Sequence, residues 1–128
     1  MKSYNPLQAP DPQAWLAVDE MERIQLVEAF HKRARIRLPN LRAHAAFHAI
    51  VENQVAEGAA LPVQATLERL MAEGLDRHDA LHAIGNVLAG ILHGLLKNKT
   101  KGDPNPGYHK ELQELTAEKW RQSGLRGS

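Results

Sequence analysis

The chain has 128 residues, no cysteine and a formal net charge of +1 at pH 7. That length accommodates one domain with a real core and excludes two. The balance of 16 basic against 15 acidic residues excludes a strong general pull towards nucleic acid or an anionic membrane. The lack of cysteine excludes disulfides, thiolate metal sites and cysteine nucleophiles.

Residues 1–11, with Pro6 and Pro10, read as an extended arm. The start from Met1 to Leu7 lacks the apolar run of a signal peptide, so the expectation is a cytoplasmic protein. Asp11-Pro12 is a cap followed by a first-turn proline and opens a short helix. Asp19, followed by Glu20 and Glu22, opens a second helix to about Arg35, with Ile24, Leu26, Val27, Phe30 and His31 on its apolar face. Pro39 breaks the pattern, since the residue before a proline avoids helix. Asn40 then caps a helix from Leu41 to Glu57, which Gly58 stops. Pro62 sits in the first turn of the next, where Val63, Leu67, Leu70 and Met71 keep helical spacing up to Gly74.

Asp76 caps the last core helix, which runs to about Lys97 and carries Leu81, Ile84, Leu88, Ile91, Leu92 and Leu95. His82, Asn86, His93 and three glycines interrupt its apolar run, which argues against a membrane span. Residues 98–107 read as a loop, 108–122 as a final helix with Tyr108, Leu112, Leu115 and Trp120, and 123–128 as a frayed tail. No stretch alternates with period two, so the chain is all-α. The expected architecture is a bundle of four to five helices with its core domain at 12–97.

Two segments carry chemistry. His44 and His48 are four apart and are followed by Glu52, again four on; His78 and His82 repeat the spacing. Side chains at i and i+4 lie on one helical face. On a wheel of about 100° per residue His44 and His48 share a face with Val51 and Val55, and Glu52 lies at its border. His78 and His82 flank the leucine face beside Gly85 and Ala89. Four histidines on apolar faces need a partner for every ring nitrogen, and a metal ion would supply it. The expected ligands are therefore His44, His48, Glu52, His78 and His82, holding a divalent ion such as zinc, iron, nickel or manganese. His31 is an outside possibility; His93 and His109 are left out.

The blocks Val51-Glu52-Asn53-Gln54 and Gly74-Leu75-Asp76-Arg77-His78-Asp79-Ala80-Leu81-His82-Ala83-Ile84-Gly85 resemble those of a family of small bacterial proteins known only as a domain of unknown function. The likeness runs from about Asp11 to Leu96. It implies the same five positions, with Asn86 where the family carries serine, and it implies no activity.

Three functions compete. In a metal-dependent hydrolase, Glu52 or Asp79 would act as base towards a metal-activated water. His78-Asp79 also matches the His-Asp dipeptide of helical metal phosphohydrolases, but the later aspartate those need has only Asp103, in a loop, as candidate. In a non-catalytic interaction module, a homo-oligomer would bury metal-free histidines in its seam. A helix-turn-helix DNA binder is suggested by the Gly74 turn, against which stands the apolar face of the following helix.

Overall fold

The computed structural model describes residues 1–58, 62–98 and 105–123, in which the chain forms seven α-helices and no strand. The caps explain most boundaries. Asp11 accepts from Ala14 N at 2.9 Å and starts α1, Pro12–Ala17. Asp19 accepts from Met21 N and starts α2, Glu20–Arg33. Asn40 accepts from Ala43 N at 3.1 Å and starts α3, Leu41–Ala56. The fourth helix, α4, spans Pro62–Ala72, and α5 spans Arg77–Asn98, with Asp76 accepting from Asp79 N at 2.7 Å.

Helix ends are closed by backbone bonds. After α4, Gly74 takes a φ of +109° while Leu75 N donates to Leu70 O, satisfying a terminal carbonyl. Arginine does the same job after α2: Arg35 has a φ of 57°, and Ile36 N donates to His31 O. Glycine is the usual residue there.

The end of the chain departs from expectation. The final helix is two, α6 at Asn105–Glu114 and α7 at Ala117–Gln122, so helix already begins inside the expected loop. Thr116 makes the break by accepting from Lys119 N, and the first turn of α7 gains a second acceptor when Ala117 N donates to Glu73 Oε1 at 2.9 Å. The rest of the expected loop, 99–104, and of the expected tail, 124–128, lies outside the described residues, as does Asp103.

Two apolar clusters form the interior. The larger gathers Val51 from α3, Leu67 and Leu70 from α4, Leu81, Ile84 and Leu88 from α5, and Tyr108, Leu112 and Trp120 from the last two helices. The smaller gathers Tyr4, Trp15, Val27, Ala45 and Ala49, with Phe30 against it. Tyr4 is 3% exposed and Pro6 is buried, so the N-terminal arm is packed rather than free. By length and composition alone α5 could cross a membrane. In this fold its first half is core, packed on α3, α4 and α6.

Candidate metal centre

Three adjacent stripes of α3 divide the labour. Ala45 and Ala49 face the smaller cluster and Val51 faces the larger. Between them runs the row His44, His48, Glu52, spaced by four, so this row lies in the seam where the clusters meet. From across the seam, α5 contributes His78 and His82 and α2 contributes His31. The five imidazoles crowd together, with ring centroids as close as 4.1 Å for His78 and His82 and 4.3 Å for His44 and His82.

One nitrogen from each of His31, His48, His78 and His82 lies within 4.8 Å of all the others, a group that could hold a metal ion. Tetrahedral zinc, with bonds of about 2.0–2.1 Å, would draw its nitrogens to about 3.4 Å from each other. The rings would have to turn inward to hold such an ion. The same four residues each keep one buried nitrogen without a hydrogen-bond partner among the described residues: Nε2 of His31, Nδ1 of His48, Nε2 of His78 and Nδ1 of His82.

The other nitrogens explain which ones are left over. His31 Nδ1 lies 2.9 Å from Val27 O, and a carbonyl only accepts, so Nδ1 carries the proton and Nε2 the lone pair. Tyr4 donates its hydroxyl hydrogen to Glu52 Oε2, so His48 Nε2, 2.7 Å from the Tyr4 oxygen, must donate to it. That leaves the lone pair of His48 on Nδ1. His82 Nε2 and His44 Nε2 are 2.8 Å apart, and donation from His82 leaves its lone pair on Nδ1 as well. The bonds to Val27 O and to Tyr4 thus set the tautomers of His31 and His48 with the lone pair on the unpartnered atom, and His82 joins them in the tautomer that donates to His44.

Electrostatics agrees with neutral rings. Burial is the main cause that lowers every one of these five pKa values from 6.5, with the neighbouring imidazoles adding to it at all but His31. His44 and His78 fall to about 4 and His82 to about 2. At neutral pH all five are uncharged, the state a metal ligand requires.

The structure places the expected site residues differently from the sequence reading. His48, His78 and His82 come together as expected, but His31 takes a place in the group and His44 stands behind His82 as its hydrogen-bond partner. Glu52 is turned away from the lone pairs. Arg77 holds it through two bonds of 2.7 Å, and Tyr4 donates to it, in a buried ion pair. Arg77 also donates to Pro6 O at 2.9 Å, and Arg33 to Tyr4 O at 3.1 Å, which pins the arm over the seam. Asp79 is half-buried in the first turn of α5, and His93 is exposed further along it.

Two participants, Arg77 and Tyr4, were missed by sequence reasoning, and His31 was held only as an outside possibility. His31 had a signal, since it follows Val27 by four on the apolar face of α2. Arg77 stands inside the block already singled out. Tyr4 had none, being one aromatic in a proline-rich arm.

Beside the group lies a cavity of about 40 Å³ lined by His44, Phe47, His48, Leu81, His82, Gly85, Asn86 and Ala89. Compared with protein-family models, with curated proteins and with solved structures, the chain matches none. The chemistry of the site must be argued from its own geometry.

Proposed function

We propose that this chain is a metal-binding protein that takes up a divalent transition metal between His31, His48, His78 and His82. The observation that carries the reading is that four histidines bring one nitrogen each to within 4.8 Å of the others, and that the same four residues each hold a buried nitrogen without a partner. Each buried polar atom left unmade costs roughly 1–3 kcal/mol, so four cost roughly 4–12 kcal/mol. A domain is stable by only about 5–15 kcal/mol in total. An ion that ligates all four converts that cost into bonds. Neutral imidazole donors suit zinc, nickel, iron or copper. Manganese loses support, because Glu52, the oxygen ligand expected for it, is engaged by Arg77.

The hydrolase reading finds little in this geometry. Glu52 is held in an ion pair, and the adjoining cavity of about 40 Å³ admits no substrate beyond a few atoms. The interaction-module reading leaves the converging nitrogens unexplained.

Elemental analysis of untagged protein, with zinc and nickel titrations by calorimetry, tests the proposal. One ion per chain is expected in the wild type, none in His31→Ala or His82→Ala, and still one in His93→Ala. Wild-type protein that takes up neither zinc nor nickel nor ferrous iron would overturn it.

A further inference from the structure

The cavity and the histidine group share two residues, His48 and His82, while His31 and His78 lie outside the cavity wall. An ion among the four nitrogens therefore has the cavity on one side, between His48 and His82. The rest of the wall is mostly apolar: Phe47, Leu81, Gly85 and Ala89. Neither the shape nor the lining suits an organic substrate.

Charge decides what does suit it. Four neutral imidazoles leave a divalent ion with its full +2 charge in a buried seam, where uncompensated charge is costly. Glu52 is buried in the same seam, but Arg77 already neutralises it. Asp76 is exposed and occupied as the cap of α5. Asp79 does not line the cavity, nor does any lysine or arginine. Among the described residues no carboxylate lines the cavity, which leaves that charge to be met by an anion from solution.

We propose that this cavity is a binding site for a small monovalent anion, of hydroxide, cyanide or azide size, that completes the coordination of the ion. The inference rests on the metal-binding reading above and adds a fifth, exchangeable ligand to it. Four protein ligands close a tetrahedral site, so the anion would bind by expanding the ion to five-coordinate on the side that faces the cavity.

The test uses untagged protein loaded with cobalt(II), whose visible bands report its coordination, titrated with sodium azide at constant ionic strength. The plugged variants are Ala89→Leu and Gly85→Ala, which alter the wall and no ligand. A Cβ at Gly85 would meet nothing nearer than Val51 Cγ2 at 3.9 Å, an ordinary contact, so this variant folds.

All three proteins are expected to take up one cobalt. Azide should shift the wild-type bands with saturation below about 10 mM, and at least one plugged variant should bind it about tenfold more weakly. Cobalt-loaded wild type that does not respond to azide overturns the anion site and leaves the metal site standing. Unchanged azide affinity in both variants also overturns it, because the anion then binds elsewhere. Failure to take up cobalt at all removes the metal reading and the anion site with it.

Discussion

Along the first three turns of α5 two environments alternate. Leu81, Ile84 and Leu88 enter a core made almost wholly of hydrocarbon, and His78 and His82 enter a seam where each keeps a buried nitrogen without a partner. The difference lies in what each region asks of the rest of the chain. A core needs volume, and any well-fitting hydrocarbon supplies it. The seam needs specific partners: Val27 O for His31, Tyr4 for His48 and His44 for His82. It is built like a socket, stiffened from behind and open in front.

The two regions should fail differently. Arg77→Ala strands the buried Glu52 carboxylate and should cost about 3–5 kcal/mol, whereas the double variant Glu52→Leu, Arg77→Leu should recover much of it. Leu81→Ala should cost about 2–5 kcal/mol through its cavity, with no charge partner to rescue it. Urea unfolding measures both, and an Arg77→Ala variant as stable as wild type would break the distinction.

Zinc sharpens the same contrast. At a hundredfold excess over its dissociation constant it should add about 2.7 kcal/mol to wild-type stability. Leu81→Ala should keep that increment and His48→Ala should lose it, which thermal unfolding with and without zinc would show. Tyr4→Phe acts more gently. It leaves the Arg77–Glu52 pair but removes the acceptor for His48 Nε2–H, and calorimetry should find zinc affinity down about tenfold.

The seam should also respond to acid where the core does not. In the metal-free protein the unfolded histidines titrate near 6.5, while the folded ones are held lower, to about 4 for His44 and His78. Between those values the unfolded chain binds more protons. Stability is thus level above pH 6.5 and falls as pH drops below it, by at most about 1.4 kcal/mol per unit for each such histidine and by less where solvent screens these half-buried rings. Urea midpoints at pH 7 and pH 5 check this. The smallest effect lies outside both regions, where Arg35→Gly should relieve the left-handed residue after α2 and gain up to about 1 kcal/mol of thermal stability.

The fold was legible because its signals are local. Asp11, Asp19, Asn40 and Asp76 announced helix starts through side chains that reach only two or three residues ahead. Thr116 offered the same signal but stood inside a plausible helical stripe, and the acceptor that favours the break, Glu73, comes from another helix. The candidate site was legible in part for the same reason. Spacing by four brought out His48, His78 and His82. Spacing also put Glu52 on the stripe of His44 and His48, yet it cannot say which way a carboxylate turns when an arginine from α5 competes for it. The block Val51-Glu52-Asn53-Gln54 shows how much such a string conceals. Val51 fills core, Glu52 meets Arg77, Asn53 accepts from Trp15 and Arg23, and Gln54 accepts from Tyr108.

The pinned arm sets an order of events. Its anchors join residues separated by 44, 48 and 71 positions, the longest being Arg77 to Pro6. Contacts of such span close after local ones, since chain entropy must be lost before they form. The four nitrogens come from α2, α3 and α5, whereas the proton of His48 is fixed by Tyr4, which lies outside those helices. A change at Tyr4 is therefore felt in the middle of the core.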